Sequence, residues 1–371
     1  MTETAEHKEQ HEKIRQFGKS SGETSAAQPR PRPREALPNS SPPPAAPPLV
    51  IVAGPTACGK SRAAVQLAKR LFGAVVSADS MQVYRGMDIG SAKVTEEEME
   101  GVPHYLLDCA DPSESWNVVR FQREAKAALA QIYAQDRLPI LAGGTGFYIQ
   151  ALLYDIDFTA MEEDGAYRAQ LEEQAQREGG EALWQLLHTL DPDAAAAIHP
   201  HNVKRLIRAL EFARQSGGER ISEHNAEQRS RPPAYNAAFF VMTMERERLY
   251  RRIDERVDRM MEQGLLAETA RLRESGLPPN AVSMQGLGYK ELYAYLDGRI
   301  PSLEEAVRLI KRNTRRFAKR QLTWFKREPE AIWTARESFA DEAAMLAFME
   351  EKIHERSIFP HTGSAFQDGN G

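Results

Sequence analysis

One eight-residue run limits the folds open to this chain more than any other segment does. The run is Gly54-Pro55-Thr56-Ala57-Cys58-Gly59-Lys60-Ser61, which matches the pattern G-x-x-x-x-G-K-[ST]. It follows the apolar run 49–53 and precedes the segment 62–71, whose apolar residues recur with helical spacing. A glycine-rich turn between a strand and a helix directs backbone N–H groups at phosphate oxygens. The sequence therefore predicts diphosphate binding, with Lys60 on the terminal phosphate and the Ser61 hydroxyl facing Mg²⁺.

Two further short apolar runs predict additional buried strands. Residues 74–78 end in Asp79-Ser80, and residues 138–142 end in Gly143-Gly144-Thr145-Gly146. Continuous apolar strands separated by helices are typical of a parallel sheet covered on both faces. We therefore expect an α/β fold, with a P-loop NTPase-like parallel sheet flanked by helices and a helical insertion domain. Ligands of such sheets bind at the carboxyl ends of the strands, so the three motifs should meet at one edge.

Composition shifts along the chain predict five segments. Nine prolines between Pro29 and Pro48 indicate a disordered leader over residues 1–48. The pattern then changes from apolar strands to charged helices and back, with a return strand at 239–244. The remaining predicted segments are a first part of the catalytic core (49–160), a helical insertion (161–235), a second part of the core (236–330) and a partly disordered C-terminal extension (331–371).

The overall composition restricts the cellular setting and the partners. The formal net charge is −5, so a nucleic-acid surface requires local clustering of Lys and Arg. The two cysteines, Cys58 and Cys109, form no C-x-x-C pair, which favours a reduced setting. No apolar run approaches the roughly 18 residues of a membrane helix. We expect a cytoplasmic protein that has no membrane association.

The second predicted strand ends in a carboxylate that can perform chemistry. Asp79 would lie a few ångströms from a bound diphosphate, where it could accept a proton from an incoming nucleophile. It could equally bind the metal or cap a helix. The phosphate loop itself serves ATPases, kinases and transferases, so it does not identify the reaction.

A strongly basic segment lies near the end of the predicted core. Residues 308–327 contain nine Lys or Arg and no Asp or Glu. On a helix, Arg308, Arg312, Arg316 and Arg320 would share one face, and aligned like charges repel unless an anion is present. This pattern favours contact with RNA. Lys204, Arg205 and Arg208 form a second, smaller basic patch.

Several motifs in order resemble the signatures of tRNA dimethylallyltransferases. The resemblance covers residues 49–327. The matching segments are GPTACGKS from Gly54, DSMQVYRGMDIGSAK from Asp79, PHYLLD from Pro103, AGGTGFY from Ala142, IHPHNVKRLIRALE from Ile198, LYRRIDERVDRM from Leu249, GLGYKEL from Gly286 and KRQLTWFKR from Lys319.

The resemblance implies a dimethylallyl transfer to the exocyclic N6 of the adenosine immediately 3′ of the anticodon, in tRNAs that read codons beginning with U. It implies that the phosphate loop binds dimethylallyl diphosphate, with Thr56 near the leaving oxygen. Arg252 would reach the diphosphate from the opposite side, and Asp79 would be the general base. Cys58 stands where the family commonly has a small residue.

Contact with the tRNA anticodon loop is expected at two kinds of position, those of the family motifs and those of the basic patches. The apolar wall for the prenyl chain has two candidates, Phe147 and Tyr148, and both could instead pack in the core. We expect a monomer. The residues expected to contact tRNA are Asp79, Ser80, Met81, Gln82, Thr145, Arg168, Lys204, Arg205, Leu206, Ile207, Arg208, Arg316 and Arg320.

Three alternatives share part of this pattern. A small-molecule P-loop kinase would explain the phosphate loop but not the basic helix or the helical insertion. An adenylate isopentenyltransferase would share the loop and Asp79, although a mononucleotide needs no long basic surface. A non-enzymatic RNA-binding module would have no reason to keep Lys60, Ser61 and Asp79 together.

Overall fold

The computed structural model describes residues 46–158 and 165–359. Six strands form one sheet in the order β3-β2-β4-β1-β5-β6, and every neighbouring pair is parallel. The α/β fold predicted from the sequence is thereby confirmed. The strands are β1 (Pro48–Ala53), β2 (Gly73–Ala78), β3 (His104–Tyr105), β4 (Leu138–Gly143), β5 (Asn236–Thr243) and β6 (Ile332–Ala335).

Both faces of the sheet are buried. Along β1, Leu49, Ile51 and Ala53 pack into one apolar cluster, while Val50 and Val52 pack into the other. This alternation follows from the period of two along a strand. Within residues 46–158 and 165–359, fourteen α-helices surround the sheet or lie in the insertion. Those of the sheet are α1 (Lys60–Arg70), α2 (Glu96–Met99), α3 (Val118–Tyr133), α4 (Gly146–Leu153), α10 (Arg246–Glu262), α11 (Leu265–Glu274), α12 (Tyr289–Leu296), α13 (Leu303–Phe325) and α14 (Glu342–Glu355).

The helical insertion that the sequence predicts lies between β4 and β5. Its helices have an apolar core of their own, with Leu183, Leu206 and Leu210 fully buried. The predicted boundary between residues 160 and 161 lies outside the described residues. The insertion contains α5 (Gly165–Glu178), α6 (Gly180–Leu190), α7 (Pro192–Ala197), α8 (Val203–Gln215) and α9 (Ile221–Ser230).

The C-terminal segment contributes two elements that the sequence analysis did not predict. Strand β6 pairs with β5 at the edge of the sheet, and α14 buries Met345, Met349 and Ile353 against the cluster that contains α1. The four residues of β6 carry too short a pattern to be recognised alone. The leader up to residue 45 and the last residues, 360–371, lie outside the described residues.

None of the helices in the described part of the chain combines the length and apolar character that crossing a membrane requires.

Candidate functional site

The glycine-rich run forms a tight turn between β1 and α1. Gly54 adopts φ 142°, and a Cβ there would lie 2.3 Å from the carbonyl oxygen of Met242, so only glycine fits. Gly59 is the left-handed N-cap of α1, and the Lys60 ammonium donates to the Pro55 carbonyl at 2.8 Å. The backbone N–H groups at the start of α1 therefore lie in this loop. The positive end of the helix dipole would stabilise an anion bound there.

Two helices from the far end of the chain hold this turn. From α10, Arg252 Nε donates to the Ala57 carbonyl at 3.0 Å, and Arg256 Nη1 donates to Thr56 Oγ1 at 3.4 Å. From α13, the side-chain oxygen of Gln321 accepts the Thr56 N–H at 2.9 Å. The middle of the loop is thus fixed from two sides.

Arg256 is a site residue that the sequence analysis missed. Burial lowers the pKa of its guanidinium, and the carboxylate of Asp79 opposes that shift by favouring the charged form. The Asp79 carboxylate therefore acts on a cation that also contacts Thr56. Arg252 and Arg256 are four residues apart on α10, and this i, i+4 spacing was the signal that could have found Arg256.

Asp79 lies directly after β2, where its side chain organises the following turn. Its Oδ1 accepts the Met81 N–H at 2.8 Å and the Gln82 N–H at 3.4 Å. Gln82 in turn donates from Nε2 to the Ala92 carbonyl at 3.1 Å. Oδ1 is thus engaged as a turn acceptor, as is common for Asp after a strand.

The turn after β4 lies beside Asp79. β2 and β4 are neighbours in the sheet, and the Thr145 N–H donates to the Ala78 carbonyl at 3.3 Å. Thr145 is the N-cap of α4, yet its side chain makes no capping hydrogen bond. The carboxyl ends of β1, β2 and β4 thus bring the phosphate loop, Asp79 and Thr145 to one edge, as the sheet topology predicts.

The two aromatic candidates for an apolar wall differ in their exposure to solvent. Tyr148 is buried and stacks on Phe121 at 4.4 Å between ring centroids, so it belongs to the core. Phe147 is 40% exposed and makes edge contacts at 6.2 Å with both Phe158 and Trp324. Of the two, only Phe147 offers an accessible apolar surface.

In the insertion, the basic patch and its apolar neighbours point in different directions. Lys204 and Arg205 are exposed at the start of α8, whereas the side chains of Leu206 and Ile207 are buried in the insertion core. Arg208 is partly buried and has an interaction partner. Any contact that Leu206 and Ile207 make with RNA would have to use groups other than these side chains.

Arg168 of α5 forms a bidentate ion pair inside the insertion. Its Nε and Nη2 donate to the two carboxylate oxygens of Glu211 at 2.9 and 2.7 Å. Glu211 is buried on α8, while the Arg168 side chain stays 35% exposed. The pair fixes the guanidinium and leaves part of it accessible.

The basic stripe of α13 is partly neutralised. Acidic residues of α10 pair with its first half, Lys311 with Asp258 and Arg315 with Asp254, and Arg308 pairs with Glu305 of its own helix. Arg316, Lys319 and Arg320 are exposed and form no ion pair with any described residue. The exposed cations without an ion pair therefore lie in the second half of the helix, whereas Arg312 in the first half is only partly exposed and its Nε is buried.

The described residues contain no group of three or more His, Cys, Asp and Glu side chains arranged to hold a metal ion. Ser61 follows Lys60 in the first turn of α1 and is exposed. Mg²⁺ commonly takes one or two protein ligands together with phosphate oxygens and water. A single hydroxyl beside a phosphate loop fits that mode and does not fit a cage built from protein ligands alone.

Comparison with known proteins identifies relatives over most of the chain. Residues 82–328 match the family model described as IPP transferase. The tRNA dimethylallyltransferase of Lachnoclostridium phytofermentans is 54% identical over 311 residues, which are 84% of this chain and 99% of that protein. The tRNA dimethylallyltransferase of Bacillus subtilis is 48% identical over 286 residues, 77% of this chain and 90% of that protein.

The solved structures that this chain resembles are also of transferases that act on tRNA. The tRNA isopentenylpyrophosphate transferase of Bacillus halodurans is 45% identical with a TM-score of 0.62, and the match covers 84% of this chain and 98% of that one. A eukaryotic dimethylallyltransferase, whose structures follow its action on tRNA, is 30% identical with a TM-score of 0.72. That match covers 85% of this chain and 80% of the other.

Proposed function

Because this chain belongs to the IPP transferase family, we propose that it is a tRNA dimethylallyltransferase. It transfers the dimethylallyl group of dimethylallyl diphosphate to N6 of the adenosine immediately 3′ of the anticodon, in tRNAs that read codons beginning with U. The observation that carries this proposal is the meeting of the phosphate loop, Asp79 and the Thr145 turn at one edge of the sheet. These motifs provide a donor subsite beside an acceptor subsite.

The donor subsite is built from cations and backbone amides. Apart from Thr56, whose N–H donates to Gln321, the N–H groups of the loop 54–61 bind the diphosphate together with Lys60, Arg252 and Arg256. Thr56 lies near the oxygen that leaves with the diphosphate. Their positive charge stabilises the diphosphate as negative charge develops on it. The Ser61 hydroxyl would help to hold Mg²⁺ beside the diphosphate, and the ion would supply further charge stabilisation there.

The acceptor chemistry requires a base, because an exocyclic adenine amine has its lone pair delocalised into the ring. As the nitrogen bonds to the allylic carbon, the carbon–oxygen bond breaks and the diphosphate leaves with the electron pair. Asp79 takes the proton that the amine loses. The adenine leaves its stack in the anticodon loop to reach this edge, where residues 80–82 and Thr145 contact the nucleotide.

Two positively charged surfaces bind the RNA phosphates. One is the uncompensated half of α13, with Arg316, Lys319 and Arg320. The other is the exposed start of α8 in the insertion, with Lys204 and Arg205, next to Arg208 and to Arg168 on α5. The enzyme works as a monomer in the cytoplasm.

Radiolabelled dimethylallyl diphosphate offered to bulk tRNA tests the proposal directly. We expect label in tRNA that depends on enzyme and Mg²⁺, and no label in AMP. Label in AMP but not in tRNA would identify an adenylate isopentenyltransferase. Failure to use the isoprenoid donor, combined with transfer from ATP to a small molecule, would identify a kinase and refute the proposal.

A further inference from the structure

Gln321 is a buried amide on an otherwise basic helix. It follows the exposed Arg320 on α13, but Gln321 itself is only 7% exposed, and its side chain points to the turns that follow β1 and β4. Buried polar groups are normally retained with their hydrogen bonds satisfied, so the partners of Gln321 indicate its role.

Both ends of the Gln321 amide are used, and by different turns. The side-chain oxygen accepts the Thr56 N–H at 2.9 Å, and Nε2 donates to the Gly144 carbonyl at 3.0 Å. A backbone N–H can only donate and a carbonyl can only accept, so the two partners determine the orientation of the amide. Among the side chains that are uncharged at neutral pH, only glutamine has this length and offers a donor and an acceptor in the same plane.

The turn after β4 is shaped to receive this amide. A Cβ on Gly144 would lie 2.2 Å from Gln321 Nε2 and 3.4 Å from the Gly54 carbonyl oxygen. The absence of a side chain at Gly144 lets the amide fit between the turn and the phosphate loop. The contact is thus built by residues from three separate parts of the chain.

We propose that Gln321 is a positioning residue, which holds the donor turn at Thr56 and the acceptor turn at Gly144–Thr145 in a fixed relation. This inference rests on the proposed function, in which Thr56 lies by the leaving oxygen and Thr145 contacts the nucleotide. Gln321 touches neither substrate in this scheme. It acts by keeping the reacting atoms aligned for in-line attack.

Replacement by leucine tests the role of the hydrogen bonds at similar volume. Misalignment of about 1 Å can slow a reaction roughly 10²-fold, so we expect Gln321→Leu to lower kcat about 10- to 100-fold. We expect KM for each substrate to change less than about threefold, because both binding surfaces remain. Asn313→Leu is the matched control, since the Asn313 amide lies on the same helix but donates to Glu291.

Replacement by glutamate adds a pH signature that a general packing defect would not produce. A neutral carboxylic acid has one donor and one acceptor, as the amide does, whereas a carboxylate has only acceptors and repels the Gly144 carbonyl. Burial favours the neutral form. We expect the ratio of Gln321→Glu kcat to wild-type kcat to rise as pH falls, while the ratio for Gln321→Leu stays flat.

The outcomes separate the inference from the proposed function. Wild-type transfer combined with an unchanged kcat in Gln321→Leu, or with a flat ratio for Gln321→Glu, would overturn the positioning role alone. If wild-type enzyme transfers no dimethylallyl group to tRNA, the proposed function fails first. Thermal unfolding checks that both variants fold. If Gln321→Leu does not fold, the pH dependence of the kcat ratio between Gln321→Glu and wild type tests the positioning role instead.

Discussion

At the scale of single residues, Asp79 combines a local structural task with the proposed proton transfer. Its Oδ1 caps the turn at Met81, so removal of the whole side chain would disturb residues 80–82 as well as the base. An amide keeps an acceptor oxygen for that turn but has no useful basicity. The two tasks can therefore be separated by one substitution.

We expect Asp79→Asn to lower the transfer rate by about 10²- to 10⁴-fold, the usual contribution of a general base. Affinity for tRNA should stay within a few-fold of wild type, as measured by filter binding. Asp111→Asn is the control, because Asp111 is an exposed carboxylate that accepts from Ser113 in a separate loop. Full activity in Asp79→Asn would remove Asp79 as the base.

At the scale of elements, α13 carries two faces with different tasks. Lys311 and Arg315 bind α10 through Asp258 and Asp254, whereas Arg316 and Arg320 remain uncompensated. The sequence predicted a continuous basic stripe, but its partners on α10 are more than 50 residues away and could not be read from local pattern. The fully exposed cations without an ion pair lie in the second half, where RNA phosphates could reach them.

We expect Arg316→Glu with Arg320→Glu to weaken tRNA binding strongly. Loss of two phosphate contacts should also reduce the slope of log affinity against log salt by roughly 1.5. The control is Arg70→Glu with Lys352→Glu, which changes the net charge equally at residues paired with Glu350 and Glu355. Equal salt slopes in both double variants would show that this face of α13 does not contact RNA.

The loop that follows Asp79 is anchored by a buried carboxylate on α11. The Glu268 carboxylate accepts hydrogen bonds from the backbone N–H groups of Asp88, Ile89 and Gly90 at 3.0 to 3.1 Å. It also accepts one from the Tyr289 hydroxyl at 2.6 Å. Each carboxylate oxygen faces two donors. An amide in either orientation would turn its NH₂ group towards two of them.

We therefore expect Glu268→Gln to destabilise the fold by about 1–3 kcal/mol, the usual penalty for leaving buried donors unsatisfied. KM for tRNA should rise as the loop loosens. Urea unfolding and steady-state kinetics measure the two effects, with the exposed Glu274→Gln of the same helix as control. Unchanged unfolding in Glu268→Gln would show that the loop is held by other contacts.

At the scale of the whole molecule, the C-terminal elements complete the core behind the site. The family match ends at residue 328, yet β6 extends the sheet and α14 packs near α1, the helix that begins at Lys60. The ion pairs that join α14 to the rest of the described chain are with Arg62 and Arg70 of α1, which have no part in the proposed reaction. Their contribution should therefore be to stability.

We expect Met349→Ala, which empties a fully buried position on α14, to lower the free energy of unfolding by about 2–5 kcal/mol. Below the unfolding transition, kcat and both KM values should stay near wild type. Glu351→Ala at an exposed position of the same helix is the control. A large fall in kcat without loss of stability would mean that α14 acts on the site directly.

The sequence by itself determined the glycine-rich turn before α1, the parallel sheet and the edge at which Asp79 and Thr145 meet. Each of those features is encoded in a contiguous run, and the rule that carboxyl ends of parallel strands share an edge brings the runs together. Local pattern was sufficient because strand, turn and helix propensities act over a few residues.

Only the tertiary structure decided what holds that edge in place. Gln321 reaches Thr56 across 265 residues of chain, and the Arg256 contact spans 200. A glutamine or an arginine on a helix carries no local mark of its distant partner, because a hydrogen bond depends on the spatial positions of both groups. Burial then decides which polar side chains position the site and which, like Arg316 and Arg320, stay free for a charged partner.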